Sequence, residues 1–264
     1  MDMDISCEGK QAIICGSTDG IGKACAIALA DLGANITLIA RNEQKLATTL
    51  KELKTSPKQS HDFIVADFSE PDALKEKVDA YLDATKIVHI LVNNTGGPSL
   101  GSALAATASD FIAAFNQHLI CYHLLSQAVI PGMKKAEYGR IINITSYTAK
   151  QPLDDMIVSN TIRGAVSSWA KTMANELGRY GITVNNVLPG SIETKRLHGI
   201  ARDRIQLTGK SEEEVMHEMK SIIPMNRFGK PEEVAWAVAF IASPAASYIN
   251  GINLPVDGGK TRSL

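Results

Sequence analysis

The sequence has few cysteines and few aromatic residues, and it has no excess of either charge. Its 264 residues include 4 cysteines, 5% aromatic side chains and a formal net charge of −1. The basic residues occur singly or in pairs, which argues against a nucleic-acid partner. The cysteines have neither paired nor metal-type spacing, so we expect buried free thiols, no disulfides and no metal site. They are Cys7, Cys15, Cys25 and Cys121.

Long apolar runs are also absent. The longest uncharged apolar stretch, residues 87–92, is far too short to cross a bilayer. Residues 1–5 are acidic and no apolar segment follows them, which is not the pattern of a secretory signal. We therefore expect a cytoplasmic protein that has no membrane partner.

What the sequence does contain is an alternation of short β-branched runs and longer amphipathic stretches. The first helix is expected to begin near Ile21 and to end at Gly33, and long helices are expected over 109–133 and 159–178. The pattern predicts a single α/β domain over 1–264, a Rossmann-type doubly wound parallel sheet of seven strands with helices on both faces. The predicted strands are 11–15, 35–40, 62–66, 88–92, 140–144, 182–188 and 252–256.

Residues 191–227 do not follow this alternation. The segment is polar, charged and helical in period, and it is too long for an ordinary connection. Leu197, Ile200 and Met216 could close over a substrate, whereas residues 210–214 offer little apolar area. We expect a helical substrate lid that orders when ligand binds, with a merely decorative insertion as the alternative.

A glycine-rich loop follows the first predicted strand and opens the first helix. Gly16, Gly20 and Gly22 have the spacing Gly-x-x-x-Gly-x-Gly. Glycine lets the backbone turn tightly and approach a pyrophosphate, whose charge then lies at the helix N-terminus. An ordinary turn from strand to helix uses similar residues, so this loop alone does not establish a dinucleotide site.

Five further motifs occur in order along the chain. They are Asp67, Asn93-Asn94-Thr95-Gly96, Asn143-Ile144-Thr145-Ser146, Pro189-Gly190 and Val256-Asp257-Gly258-Gly259. With the glycine spacing, this set resembles the short-chain dehydrogenase/reductase family over about residues 8–260. Cys15 stands where that family usually has threonine, a departure that we expect to have little consequence for binding.

The resemblance implies a set of residues that bind a dinucleotide. The pyrophosphate is assigned to the glycine-rich loop, the adenine edge to Asp67, the ribose side to the loop after the fourth strand, and the nicotinamide half to the residues after the sixth. The implied residues are Gly16, Ser17, Thr18, Gly20, Ile21, Gly22, Asp67, Asn93, Gly96, Pro189, Gly190, Ile192 and Thr194.

The end of the second strand predicts which dinucleotide binds. An NAD-specific enzyme would place an acidic residue there to hold the ribose 2′-hydroxyl, and none is present. Arg41 supplies a cation suited to a 2′-phosphate, so we predict NADP(H). A solvated surface arginine at this position would leave the preference undecided.

The resemblance also exposes a departure at the catalytic positions. The family uses a serine to hold the carbonyl, a tyrosine to protonate it, a lysine to assist the tyrosine and grip the ribose, and an asparagine to complete a proton relay. The corresponding residues here are Ser146, Ser159, Arg163 and His118. Ser159 and Arg163 are one helical turn apart and can both reach the cofactor. However, an arginine keeps its proton and an alcohol is a poor general acid.

Three nearby side chains are candidates for the missing acid. Tyr147 offers a phenol, Lys150 an ammonium that burial can tune, and His118 an imidazole whose ordinary pKa is near neutrality. Each also has a purely structural interpretation: aromatic packing, a solvated loop lysine and a satisfied buried histidine. Asn116 lies two residues from His118 and therefore points elsewhere on its helix.

The sequence around these positions resembles a divergent branch grouped with 3-oxoacyl-[acyl-carrier-protein] reductases. The resemblance implies an NADP(H)-dependent ketone reductase, active as a homotetramer on a small-molecule carbonyl or alcohol. Ser146 would orient the carbonyl and Arg163 would fix the ribose, with the proton donor open among Tyr147, Lys150 and bulk water. A non-catalytic NADP(H)-binding sensor or partner subunit, and a non-redox lyase or isomerase, are the alternatives.

Overall fold

The computed structural model describes residues 3–82, 87–98 and 100–263, apart from the side chain of Leu207. Met1 and Asp2, which begin the acidic N-terminal stretch, lie outside the described residues. The strands are β1 Gln11–Cys15, β2 Asn35–Ala40, β3 Asp62–Val65, β4 Ile90–Asn93, β5 Gly139–Ile144, β6 Ile182–Pro189 and β7 Asn253–Val256. The helices are α1 Gly20–Asp31, α2 Glu43–Glu52, α3 Pro71–Leu82, α4 Ala108–Phe115, α5 Cys121–Lys135, α6 Ile157–Leu177, α7 Lys195–Thr208, α8 Glu212–Ser221 and α9 Pro231–Ala242.

The strands form one parallel sheet in the order β3-β2-β1-β4-β5-β6-β7. The predicted doubly wound sheet of seven strands is therefore confirmed. The strand order reverses between β1 and β4, and a doubly wound sheet binds its ligand at the carboxyl ends of the strands beside such a reversal. The predicted strand ends differ from the observed ones by at most two residues, as at β4, which begins at Ile90 rather than Val88.

Alternate side chains of each strand enter different cores. Ile14 and Val92 pack with α1 and α9 on one face, while Ile13 and Leu91 pack with α5 and α6 on the other. Fully burying one such side chain contributes about 1.5–3 kcal/mol. In the part of the chain that the structure describes, no helix combines the length and the apolarity that crossing a membrane requires.

The helix predicted over 109–133 is not one regular helix. It comprises α4, a π-helical turn over Asn116–Ile120, and α5. The turn inserts extra backbone and so changes which side chains face the sheet, and such turns often occur at functional sites. Its central residue, His118, is directed inward and is fully buried.

The segment 191–227 forms α7 and α8, which pack around a small core of their own. Leu197, Ile200 and Met216 belong to this core or pack against it, so they face the segment's interior rather than standing ready to cover a substrate. The expectation of little apolar area was made for residues 210–214, and none of them belongs to this core. The base of the segment is closed by Gly229 N–H donating to Ser191 O at 3.0 Å and by Glu193 N–H donating to Gly229 O at 2.8 Å. Its role as a lid stays a prediction.

Four asparagines form a ladder of amide hydrogen bonds across the sheet. Asn93 Nδ2 donates to Asn143 Oδ1 at 2.9 Å, and Asn143 Nδ2 donates to Asn186 Oδ1 at 2.8 Å. Asn186 Nδ2 then donates to Asn253 Oδ1 at 2.7 Å. The four residues are cross-strand partners on β4, β5, β6 and β7. The ladder fixes the strand ends that carry the candidate site.

Candidate cofactor and active site

The glycine-rich loop between β1 and α1 forms a backbone cradle. Gly16 and Gly20 have φ values of +57° and +51°, a region that residues with a side chain rarely adopt. A Cβ on Gly22 would lie 2.2 Å from Gly16 O and 2.7 Å from Asn94 Nδ2. The N-terminus of α1 opens directly from this cradle, and the first N–H groups of a helix bind anions. The loop therefore fits a pyrophosphate.

The side chains of Asn94 and Asp19 hold this loop, and the sequence predicted neither set of contacts. The Asn94 side chain donates to Cys15 O and Gly16 O, each at 3.3 Å. Asp19 caps α1 by accepting from Gly20 N–H at 2.9 Å, and its carboxylate pairs with Lys195 at the start of α7. The hydrogen bond from Lys195 lowers the pKa of Asp19. Asn94 stood within a quoted motif, but nothing in the sequence pairs Asp19 with Lys195.

The predicted adenosine end lies at the ends of β2 and β3. Arg41 is exposed, and its Nη1 is 3.7 Å from Asp67 Oδ2. The Ser69 backbone N–H donates to Asp67 and is the largest cause of the lowered pKa of that carboxyl. Ser17 is buried and donates to Ile39 O at 3.3 Å, which ties the glycine-rich loop to β2. Thr18 and Ile21, on the same loop, are partly buried.

Thr194, one of the residues predicted for the nicotinamide half, lies beside the glycine-rich loop. A Cβ on Gly20 would lie 3.1 Å from Thr194 Cγ2, so the segment after β6 reaches the glycine-rich loop. A Cβ on Gly190 would lie 2.6 Å from Asp257 Cβ, which explains why glycine follows Pro189 there. Gly96 follows the ladder residue Asn93, and Ile192 is buried in the core beneath.

The loop after β5 carries three of the predicted catalytic residues. Ser146 is partly exposed, and its Oγ accepts from Thr148 N–H at 3.2 Å. Tyr147 is buried, and burial raises the pKa of its phenol to about 12. Lys150, one turn further on, is partly buried. A phenol with so high a pKa is fully protonated at neutral pH.

A lysine from the C-terminal tail meets this loop, and sequence reasoning missed it. Lys260 Nζ lies 4.6 Å from the ring centroid of Tyr147 and donates to Ser191 Oγ at 2.9 Å. Burial, followed by the nearby charge of Arg204, lowers the pKa of Lys260 to about 8. Lys260 is 113 positions from Tyr147 in the sequence. Only the packing of the tail brings this ammonium beside the phenol.

Ser159 and Arg163 lie in the first turns of α6, and both are buried. Arg163 Nη1 donates to Ile144 O at 3.1 Å, while its Nε has no hydrogen-bond partner among the described residues. Burial is the main cause of a lowered pKa at Arg163. A guanidinium nevertheless keeps its charge, so this residue is a fixed buried cation.

A buried histidine and a buried tyrosine lie next to this cation. The rings of His118 and Tyr122 are 6.0 Å apart in an edge-to-face arrangement. Neither ring nitrogen of His118 nor the hydroxyl of Tyr122 has a hydrogen-bond partner in the described part of the chain. Burial, assisted by the charge of Arg163, lowers the pKa of His118 to about 2. The sequence-based expectation of a pKa near neutrality was wrong because the imidazole is fully enclosed.

This arrangement can bind a dinucleotide and hold a polar group beside it. The glycine cradle offers backbone N–H groups, Arg41 and Arg163 offer guanidinium groups, and two hydroxyls, on Ser146 and Ser159, belong to the adjoining elements. Within residues 3–82, 87–98 and 100–263, no cluster of three or more His, Cys, Asp or Glu side chains could hold a metal ion.

Known proteins share this sequence pattern. The chain matches, over residues 16–261, the family model described as enoyl-(acyl carrier protein) reductase. It is 31% identical over 252 residues to the 3-oxoacyl-[acyl-carrier-protein] reductase FabG of Thermotoga maritima, covering 96% of this chain and 98% of that protein. It is 29% identical over 259 residues to the NADPH-dependent reductase BacG of Bacillus subtilis, covering 97% of this chain and 99% of that protein.

A solved structure shares the fold over the whole chain. L-sorbose reductase from Gluconobacter frateurii, crystallised with NADPH and L-sorbose, has a TM-score of 0.92 and 30% sequence identity to this protein. The match covers 99% of this chain and 100% of the other. The match therefore extends over the helices and loops as well as the sheet.

Proposed function

The chain belongs to the short-chain dehydrogenase/reductase family, and from that premise we propose that it is a cytosolic NADP(H)-dependent oxidoreductase that reduces a ketone. The observation that carries the proposal is the glycine cradle, whose space a Cβ on Gly22 would fill, together with Ser146 and Arg163 on neighbouring elements. A 3-oxoacyl compound is one candidate substrate, supported by the likeness to 3-oxoacyl-[acyl-carrier-protein] reductase.

NADP(H) is the cofactor that fits these residues. Arg41 follows β2, where a 2′-phosphate would lie, and its weak contact with Asp67 leaves the guanidinium exposed. BacG is named as NADPH-dependent, and L-sorbose reductase was crystallised with NADPH. The cradle would hold the diphosphate and Arg163 the ribose beside the nicotinamide.

We expect Arg41→Ala to lose most of the preference for NADPH over NADH. A charge-assisted hydrogen bond contributes about 1.5–3 kcal/mol, so NADPH affinity should fall about 10- to 150-fold while NADH affinity stays nearly constant. Calorimetric titration with each cofactor measures both. Lys51→Ala, an equal loss of charge on the exposed end of α2, is the control and should change neither affinity. Equal NADPH and NADH affinities in the unmodified protein would contradict the assignment.

Different side chains have different roles in the proposed ketone reduction. When bound, NADPH supplies a hydride to the carbonyl carbon. Ser146 would hold the carbonyl oxygen, and Arg163 would fix the ribose without exchanging its proton. Ser159 and Arg163 stand where the family's tyrosine and lysine are expected, so the proton must come from another group. We assign it to Tyr147, whose phenol is protonated at neutral pH and has the Lys260 ammonium beside it.

His118 and Lys150 are less suitable than Tyr147 as the proton donor. His118 is neutral at every working pH because its pKa is about 2, so it cannot act as a cationic acid. Lys150 is only partly buried on its loop, whereas Tyr147 is buried beside the Lys260 ammonium. Bulk water delivered through the site is the remaining route.

A second function is a sensor or partner subunit that binds NADP(H) without turnover. The observation in its favour is the pair Ser159 and Arg163, which provides neither a phenol nor an exchangeable proton at the family's catalytic positions. Such a protein would keep the glycine cradle and the NADPH affinity. It would not oxidise NADPH with any ketone.

We also expect a homotetramer. Large apolar side chains are exposed on two helices: Trp236 and Phe240 on α9, and Ile112 and Phe115 on α4. A tetramer with two kinds of two-fold interface would cover both surfaces. Light scattering should give about four times the 28.4 kDa of one chain. The double variant Trp236→Asp, Phe240→Asp should give a smaller species, and a monomer at micromolar concentrations of the unmodified protein would refute the expectation.

A further inference from the structure

Two arginine side chains meet beside Gly97, in the loop that follows β4. A Cβ on Gly97 would lie 3.7 Å from Nη2 of Arg163 and 3.7 Å from Nη2 of Arg196. Arg163 belongs to α6 and Arg196 to the first turn of α7, so two separate elements bring the charges together. Their repulsion is felt at Arg163, where the charge of Arg196 adds to burial in lowering the pKa.

Neither cation is neutralised by a carboxylate of the described residues. In the described part of the chain, no carboxylate forms an ion pair with either guanidinium. Arg163 is only 6% exposed, and its Nε has no hydrogen-bond partner among the described residues. Arg163 Nη1 donates to Ile144 O, and Arg196 Nη2 donates to Pro98 O. Arg196 is exposed, but Arg163 is a buried charge without a carboxylate partner among the described residues, which is strongly unfavourable, so an anion placed here would be stabilised.

The N-terminus of α7 also favours binding of an anion. Its N-cap, Thr194, makes no side-chain capping hydrogen bond, and the first turn has no acidic residue. Lys195 and Arg196 occupy that turn although the helix dipole disfavours cations there. Lys195 is neutralised by Asp19, beside the glycine-rich loop. Arg196 turns the other way, toward Pro98, and lacks such a partner within the described residues.

We propose that Arg196 binds an anionic group of the substrate and that the charge of Arg163, whose guanidinium also fixes the ribose, attracts the same group, so that the substrate is an oxo acid: a ketone that also carries a carboxylate or phosphate. This inference rests on the proposed function. The cofactor diphosphate is the other possible source of an anion. We assign the site to the substrate because Arg196 reaches Pro98, beyond the part of the loop after β4 that is assigned to the ribose, whereas the diphosphate cradle is the Gly16–Gly22 loop, where Lys195 is already paired.

Binding to the NADPH complex tests this inference without requiring turnover. The probes are 2-oxohexanoate, 4-oxopentanoate and 5-oxohexanoate, each compared with its methyl ester, in calorimetric titrations of the protein saturated with NADPH. At least one acid should bind 10-fold or more tightly than its neutral ester. Higher salt should weaken binding of the acid and leave the ester unchanged.

Three variants locate the effect. Arg196→Gln should weaken binding of the acid about 10- to 100-fold and remove its advantage over the ester, with NADPH affinity unchanged. Gly97→Ala should weaken it too, because the new methyl group would fill the gap at ordinary contact distance from both guanidinium groups. Arg202→Gln removes an exposed charge from the same helix and should bind the acid normally.

Three results would overturn the inference. One is equal binding of acids and esters, and another is failure of every acid to bind at millimolar concentration. The third is a fall in NADPH affinity in Arg196→Gln in a protein that shows no preference for the acids over the esters, which would assign Arg196 to the cofactor. Oxidation of NADPH, followed by absorbance, tests the reductase function separately. A protein that binds the oxo acid without oxidising NADPH would retain the anion site and lose the proposed activity.

Discussion

Replacing Gly22 with alanine is expected to abolish NADP(H) binding and to destabilise the protein. The added Cβ would lie 2.2 Å from Gly16 O and 2.7 Å from Asn94 Nδ2, so backbone must move rather than a flexible side chain. Asn94 ties that backbone to β1, which prevents an easy adjustment. We expect NADPH affinity to fall at least about 100-fold, equivalent to about 2.7 kcal/mol. Overpacking should lower the free energy of unfolding by about 1–3 kcal/mol.

Fluorescence titration with NADPH and urea unfolding measure these two effects. Gly199→Ala is the matched control, because Gly199 lies inside α7 and a Cβ there meets nothing within 4 Å. That variant should bind NADPH normally and gain up to about 1 kcal/mol of stability, since alanine is the better helix former. If Gly22→Ala bound NADPH with unchanged affinity, the cradle would not be the cofactor site.

The second large effect is expected at Tyr147. A general acid contributes about 10²–10⁴-fold to the rate, so Tyr147→Phe should lower kcat by that factor. Phenylalanine keeps the ring that Lys260 contacts, so the loop should remain folded. Ser146→Ala should lower the rate less, through poorer orientation of the carbonyl. Ser159→Ala should have little effect, because an alcohol without an adjacent base is a poor acid at neutral pH.

The deciding measurement is kcat for these three variants on one ketone that the unmodified enzyme reduces, with NADPH affinity as the check on folding. The rate should also decline above about pH 8, because Lys260, whose pKa is about 8, then loses the positive charge that lies beside the Tyr147 phenol. A collapse in Ser159→Ala with no change in Tyr147→Phe would reverse the assignment. Tight NADPH binding with no turnover of any ketone would support the sensor function.

The sequence predicted the structural features that depend on residues close together in the chain. Strands appeared as β-branched runs, and the start of α1 appeared as glycines at fixed spacing. Gly33 ends that helix in the left-handed conformation, φ +92°, as its position predicted. These features depend on neighbouring residues, which is why a single sequence reveals them.

Features that depend on packing could not be read in this way. Lys260 meets Tyr147 only because the C-terminal tail folds over the β5 loop. The low pKa of His118 results from its enclosure. Nothing in the sequence distinguishes Tyr122 from an ordinary core aromatic residue, although its hydroxyl has no hydrogen-bond partner among the described residues. Periodicity predicted that 191–227 is helical, but it could not show that Leu197 faces a second helix rather than a ligand.

The asparagine ladder across β4 to β7 has a consequence for how the sheet aligns during folding. A strand that slips by one residue turns its apolar side chains to the wrong face, but a slip by two residues restores the alternation and escapes that penalty. The amides of Asn93, Asn143, Asn186 and Asn253 penalise the second error, because the slip would leave buried donors and acceptors unpaired at about 1–3 kcal/mol each. In strands joined by long crossovers, the ladder therefore favours a single register. The same register aligns the carboxyl ends of these strands, from which the loops of the candidate site begin.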